Sequence, residues 1–220
     1  MNPTLYFSMF TMILSIILIV ILFVNKKRLI GLDKIIIKIL SFIAFGNVLF
    51  EVIGVFLGKN YADYELLNDV ILRAMLVFYI AWFSVFIIFI LNVSRKDKKI
   101  FINSKWPLYL IMLACMILTV VLPITAVTND AGVIIYSTGK AVDIVRYYTL
   151  ACNFVCLVIM FKNMKNSKIS NYSSLFALII LTTIIAVVQT YHPELLLMSF
   201  VETFVTYVIY FTIEKKVEGK

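Results

Sequence analysis

The chain has few charged residues, and this scarcity decides its class. Only 15% of its 220 residues are charged, whereas 63% are hydrophobic and the mean hydropathy is +1.03. A soluble domain has roughly 25% charged and 45–50% apolar residues, so the composition excludes a water-soluble globule. Glycine and proline number only seven and four, which excludes fibrous and low-complexity disordered chains. The composition predicts a polytopic membrane protein.

Residues for common catalytic and metal chemistry are scarce as well. The single histidine is His192, and the three cysteines all lie within apolar runs. One histidine excludes a multi-histidine metal centre, and the cysteines have no disulfide framework or metal-ligand spacing. The sequence contains no Walker loop and no glycine-rich phosphate cradle. We therefore predict no enzyme activity, no cofactor, and no catalytic or metal site.

Seven apolar stretches approach or exceed the length of about 18 residues that crosses a bilayer as a helix. They lie at residues 5–24, 35–57, 70–92, 106–124, 141–162, 173–190 and 195–213. The fifth and seventh are the weakest, because each carries charge near its start. Residues 1–214 are thus predicted to form a seven-transmembrane domain, and residues 215–220 a cytoplasmic tail.

The basic residues predict the orientation of these spans. The net charge is +8, but in a chain this apolar, basic residues mark cytoplasmic membrane edges and not a nucleic-acid site. Sixteen of the 20 basic residues follow spans one, three, five or seven. The other four are Lys59, Arg73, Lys140 and Arg146. Because cytoplasmic loops retain lysine and arginine, the N-terminus is predicted outside and the C-terminus inside a multi-pass cell-membrane protein.

The connection at residues 125–140 has the pattern of a β-hairpin. Asn129-Asp130-Ala131-Gly132 has turn chemistry, and the β-branched segment 133–136 follows it. A disordered loop is the alternative. The predicted fold is an all-α bundle of seven transmembrane helices, with a short outer β-hairpin between helices 4 and 5.

Several polar side chains fall inside the predicted spans, where ionisable groups are costly and suggest function. Two glutamates and two arginines occupy one depth band in the outer half of the spans, and three amides lie deeper. We predict that these residues line an outward-opening pocket for a ligand: Glu51, Arg73, Arg146, Glu202, Asn47, Asn153 and Gln189.

Two other interpretations of the charged residues remain open. Arg73 with Glu51, and Arg146 with Glu202, would be interhelical salt bridges that stabilise the bundle. Alternatively, the arginines would extend to the lipid headgroups. Gly54 and Gly58, four residues apart, predict a close approach of helices within the bundle, with a dimer contact as the alternative.

Residues 206–214, Thr-Tyr-Val-Ile-Tyr-Phe-Thr-Ile-Glu, resemble the end of the seven-helix N-terminal input region of bacterial sensor histidine kinases. The N-out topology, the Gly/Tyr segment at 135–139 and the His-Pro turn at 192–193 are also similar. The resemblance implies a sensor that binds a small ligand or peptide outside the cell. The seventh helix would then signal to a cytoplasmic output of the two-component type.

The sequence departs from this family after Glu214. Lys-Lys-Val-Glu-Gly-Lys follows, whereas the family continues into Asn-Pro-Asp and a signalling helix. The phosphoacceptor histidine and the ATP-binding domain are absent from this sequence. Either the sequence is an isolated or truncated sensor module, or it signals through a homodimer or a separate kinase or regulator. A small transporter or substrate-binding membrane subunit is the alternative function, and a structural or assembly subunit is a third. The nearly uncharged inner halves of the spans favour the receptor.

Overall fold

The computed structural model describes residues 3–24, 32–58, 63–94, 106–130, 133–163 and 173–218. Most basic residues of the predicted cytoplasmic loops lie outside these ranges, as do Ala131 and Gly132 of the predicted turn. The described residues form seven helices, α1 Pro3–Val24, α2 Leu32–Leu57, α3 Glu65–Ser94, α4 Trp106–Val121, α5 Lys140–Asn163, α6 Ser173–Tyr191 and α7 Met198–Glu218. They also form two strands, β1 Thr125–Thr128 and β2 Ile134–Thr138.

Each predicted span corresponds to one of these helices, but some ends differ. Helix α4 ends at Val121 and not at residue 124, because Pro123 lacks the N–H that a helix needs and β1 starts two residues later. Helix α7 begins at Met198 and not at residue 195, because the chain first turns, with the Leu195 amide donating to the His192 carbonyl. Helix α7 continues to Glu218, so residues 215–218 of the predicted tail are helical.

Among the described residues, four helices are by length and composition long and apolar enough to cross a membrane: α1, α2, α3 and α5. The apolar stretches of α4, α6 and α7 are shorter. The 16 residues of α4 rise about 24 Å, less than the roughly 30 Å of hydrocarbon in a bilayer. The helices are thus compatible with a membrane location.

Helix α3 lies at the centre of the bundle and packs against α2, α4 and α5. Its apolar segment is 61% buried, compared with 28% for α1. Trp82, Phe83 and Phe86 of this helix are buried in the core, and the Trp82 ring contacts the rings of both phenylalanines. Apolar side chains on the outward faces of α1 and α4, such as Phe10 and Leu110, are exposed, which is compatible with contact with lipid.

Among the glycines of α2, Gly46 has the least room beside α3, and the sequence pattern did not single it out. A Cβ atom on Gly46 would lie 2.3 Å from Cε1 of Phe78 on α3. The same atom on Gly54 would make an ordinary 3.6 Å contact with Ile71. On Gly58 it would lie 3.3 Å from Ile134 of β2, so this glycine accommodates the hairpin. The close neighbour at Gly58 is therefore a strand and not a helix, and the contact of Gly54 with α3 does not require glycine.

The two strands form the predicted hairpin between α4 and α5. They are antiparallel, with Thr125 opposite Thr138 and Val127 opposite Tyr136. Gly139, which follows β2, has a φ of +118°, and a Cβ atom there would lie 2.7 Å from the Pro123 carbonyl oxygen. Only glycine fits this turn into α5. The end of the bundle that carries the strands is called the hairpin end below.

Candidate ligand cavity

A cavity of about 670 Å³ lies inside the bundle at the hairpin end. Helices α2, α3, α5 and α6, the start of α7 and the hairpin form its walls. Most of its lining is apolar, with Leu72, Met75 and Leu76 on α3 and Val142 and Val145 on α5. This volume and an apolar lining with a few polar groups are typical of small-molecule sites.

Glu51 lies in the cavity wall and connects three helices. Its side chain is buried, and both carboxyl oxygens accept hydrogen bonds. The Ser8 hydroxyl of α1 donates to one oxygen, and the Ser199 hydroxyl of α7 donates to the other. These bonds offset the desolvation of the carboxyl group and join α1 and α7 to α2.

A second buried contact joins α2 to α7 about one turn further from the cavity. The Asn47 side-chain amide donates to Oε2 of Glu202 over 2.7 Å, and both residues are fully buried. We call the pairs Glu51–Ser199 and Asn47–Glu202 the α2–α7 ladder. Asn47 and Glu202, predicted to line a pocket, lie in this ladder and not in the cavity lining.

Three neutral polar side chains of the lining have atoms without hydrogen-bond partners among the described residues. The atoms without partners are Nδ2 and Oδ1 of Asn68, the hydroxyl of Tyr79 and Oε1 of Gln189. Asn68 is only 1% exposed, and the buried Tyr79 hydroxyl lies beside Ser199 and Asn47 without hydrogen-bond geometry to either. A buried polar group left unpaired costs about 1–3 kcal/mol, so native proteins contain few. These atoms are themselves buried within the wall and are not exposed to the interior of the cavity.

Arg146 lies in the lining, as predicted, but its charge partner is on its own helix. Its Nη1 atom lies 3.5 Å from Oδ1 of Asp143, three residues earlier on α5. Arg146 does not form the interhelical salt bridge with Glu202 that was an alternative to the pocket. Glu202 instead accepts a hydrogen bond from Asn47.

Glu194 lies at the edge of the cavity, in the connection between α6 and α7. Its Oε1 atom lies 3.1 Å from Nδ1 of His192. A backbone hydrogen bond at Glu194 and the contact with His192 hold the pKa of this carboxyl below its ordinary value. Glu194 is therefore a carboxylate at neutral pH, and its partner is the side chain of His192.

Arg73 of α3 lies outside the cavity lining and caps the C-terminal end of α4. Its Nε atom is 2.8 Å from Asp69, one turn earlier on α3, so the alternative pair with Glu51 does not form. Nη1 donates to three main-chain carbonyls at the end of α4, those of Thr119, Val120 and Leu122, over 3.1, 2.6 and 2.8 Å. An acid on the same helix and a row of unpaired carbonyls satisfy the guanidinium locally.

Replacing Arg73 by methionine should lower the free energy of unfolding by about 2 kcal/mol, because the α4 carbonyls lose a charged donor. Asp69→Asn is the control. It should cost under about 1 kcal/mol, since Asp69 is 43% exposed. Unfolding in detergent, followed by circular dichroism, measures both. Equal costs would show that the ion pair, and not the cap on α4, stabilises this contact.

Asn153 also lies outside the lining. Its Oδ1 atom accepts a hydrogen bond from Thr182 of α6 over 3.0 Å, so it joins α5 to α6. The cavity thus brings together Glu51, Arg146 and Gln189 of the seven predicted residues. Asn68 and Tyr79 were not predicted from the sequence, although their spacing of 11 residues places them on one face of α3.

A scan against protein-family models and searches of curated proteins and of solved structures found no match to this chain.

Proposed function

We propose that the chain is a membrane receptor module. In this proposal all seven helices cross the membrane, the N-terminus is outside, and the hairpin end faces the exterior. A small ligand or peptide binds in the cavity and shifts α7, which signals to a cytoplasmic output. The output belongs to a homodimer or to a separate kinase or regulator. The observation that carries the proposal is that Glu51, in the cavity wall, accepts a hydrogen bond from Ser199 of α7.

The contacts around Glu51 provide a route from the cavity to α7. Met198, the first residue of α7, lies in the lining, and Ser199 follows it in the α2–α7 ladder. The Tyr79 hydroxyl lies in the lining and beside Ser199. A ligand that contacts Tyr79 or Glu51 therefore changes the partners of α7. Such differential contacts are what shift an equilibrium between two helix positions.

The packing beyond the ladder favours a receptor over a transporter. Further along α7, the buried side chains include Val205 and Ile209, and α3 fills the same half of the bundle with Trp82, Phe86 and Phe89. A transporter needs a polar route or broken helices at its centre. In the described part of the chain, large apolar side chains occupy most of this region, and the buried hydroxyls of Thr206 and Ser84 there donate to carbonyls of their own helices.

A cavity-filling substitution tests the coupling without a known ligand. Ala186 of α6 lies in the lining, and tryptophan at this position would occupy part of the cavity. Spin labels on cysteines replacing Phe161 of α5 and Phe211 of α7, both exposed, report the distance between these helices. The native cysteines are replaced by alanine, and the full chain is measured in lipid nanodiscs.

We expect Ala186→Trp to change the mean label distance by about 1–2 Å, the size of helix shifts in switching proteins. Ala114→Trp, on the exposed face of α4, is the matched control and should leave the distance unchanged. Circular dichroism establishes that both variants are folded. An unchanged distance in folded Ala186→Trp would overturn the receptor proposal.

A further inference from the structure

We infer that the α2–α7 ladder is a proton-binding site, in which the carboxyl group of Glu202 holds one proton at neutral pH and shares it with Asn47. This inference goes beyond the proposed function, and it does not depend on whether the cavity holds a ligand. It follows from two observations on the ladder, which are the pair of oxygens that have no hydrogen-bond partner and the lack of a cation beside the two carboxyl groups.

The contact between Asn47 and Glu202 contains one of the two hydrogen bonds that these groups can form with each other. Nδ2 of Asn47 donates to Oε2 of Glu202 over 2.7 Å. The other oxygens, Oδ1 of Asn47 and Oε1 of Glu202, are buried and have no partner among the described residues. When Glu202 is ionised, both of these oxygens are acceptors, so they cannot pair with each other.

A proton on Glu202 provides the missing donor. The protonated carboxyl group carries an O–H on Oε1, and Oδ1 of Asn47 can accept it across the same contact. A carboxylic acid and a primary amide then pair through two parallel hydrogen bonds, of which the structure already contains one. A single proton therefore satisfies two buried atoms that are costly to leave unpaired.

The Tyr79 hydroxyl of α3 does not replace this proton. It lies beside Asn47, but without the geometry of a hydrogen bond to it. A hydroxyl also has only one hydrogen to donate. It would serve one of the two oxygens and leave the other unpaired, so the contact would still lack a donor.

The charges around Glu202 favour its neutral form. Both glutamates of the ladder are buried, and in the described part of the chain neither forms an ion pair with a lysine or an arginine. Glu51 accepts a serine hydroxyl on each carboxyl oxygen, as a carboxylate does, and its charge opposes a second charge on Glu202. A buried charge without a cation is costly, so Glu202 takes up a proton instead.

The elements packed against α7 supply no other charge to Glu202 among the described residues. Glu51 of α2 and Tyr79 of α3 are the ionisable side chains that act on it. Lys38 of α2 instead lies over the Phe23 ring of α1. The remaining described ionisable side chains of α1 and α6, and those of α7 near Glu202, are tyrosines, which are uncharged at neutral pH: Tyr6, Tyr191, Tyr207 and Tyr210.

Infrared spectroscopy detects the proton directly. The full chain is measured at neutral pH in nanodiscs of ether-linked lipids, which have no ester carbonyl to mask the C=O stretch of a protonated carboxyl group. We expect this band in the wild type, its loss in Glu202→Gln and its retention in Glu51→Gln, the matched control. Glutamine has the shape of the protonated acid and can form both hydrogen bonds with Asn47, so Glu202→Gln should fold.

Asn47→Leu tests the assignment in a chain that retains the acid. Without the amide acceptor, the O–H of Glu202 loses its hydrogen bond, so the band should move to higher wavenumber. A wild-type spectrum without the band, or a Glu202→Gln spectrum that retains it, would overturn the inference. Loss of the band in Glu51→Gln, or an unchanged band position in Asn47→Leu, would overturn it as well.

The bound proton also makes stability depend on pH. A glutamate of the unfolded chain loses its proton near pH of about 4.3, whereas folded Glu202 retains it, so folding takes up one proton. The ratio of folded to unfolded chain should therefore fall as the pH rises from about 5 to 8, by up to about tenfold per pH unit more than in Glu202→Gln. Unfolding in mixed micelles measures both chains, and an equal pH dependence would contradict the inference.

Discussion

Replacing Asn47 by leucine should lower the free energy of unfolding by about 2–3 kcal/mol, one of the two largest effects that we expect. Asn47 is the side-chain partner of Glu202 in the α2–α7 ladder, and Oε1 of Glu202 already has no partner among the described residues. The leucine variant leaves the whole carboxyl group buried without a hydrogen bond. Unfolding by sodium dodecyl sulfate in mixed micelles, followed by circular dichroism, measures the loss.

Two further variants test whether the cost arises from the stranded carboxyl group. The double replacement Asn47→Leu with Glu202→Leu removes both polar partners, so it should recover most of the lost stability. Ser41→Ala is the control on the same helix. The buried Ser41 hydroxyl donates to the carbonyl of Ile37, within α2, so its loss should cost under about 1 kcal/mol. A double variant as unstable as Asn47→Leu would contradict this account.

The second large effect is expected at the contact between α2 and α3. Gly46→Ala would place a Cβ atom 2.3 Å from Cε1 and 2.9 Å from Cδ1 of Phe78. The Phe78 ring also packs edge-on against Phe50, with centroids 5.2 Å apart, so it has little freedom to move. Overpacking of this kind costs about 1–3 kcal/mol, and we expect the upper part of that range. The same unfolding measurement applies.

Gly54→Ala is the matched control for Gly46→Ala, because it makes the same change on the same helix. Its Cβ atom would make an ordinary 3.6 Å contact with Ile71. Alanine also favours helix over glycine by about 0.5–1 kcal/mol, so this variant should be neutral or more stable. If both variants lost the same stability, the close approach of α2 and α3 at Gly46 would be wrong.

These glycines show the limit of a sequence pattern. Gly54 and Gly58 have the small-residue spacing that predicts close packing, but of the three glycines on α2 and at its end, Gly46 has the least room for a Cβ atom. Spacing identifies a face on one helix. It does not identify which neighbour lies against that face, nor at what height, because both depend on how the helices are placed relative to one another.

The candidate site shows the same limit. Helical spacing and the cost of burying polar groups selected Glu51, Arg146 and Gln189, which do line the cavity. The partners of Glu51 are 43 and 148 residues away along the chain. An estimate of depth alone suggested arginines for these glutamates. Serine and asparagine are the observed partners, since the arginines find nearer acids on their own helices.

The sequence by itself determined the elements of this protein, and tertiary structure decided their partners. Apolar runs specify helices because every backbone hydrogen bond of a helix is local, and turn residues followed by β-branched residues specify the hairpin for the same reason. The rotation of each helix about its axis is a collective result of packing. It determined that Glu51, Asn68 and Tyr79 share a cavity and that Asn47 meets Glu202 behind it.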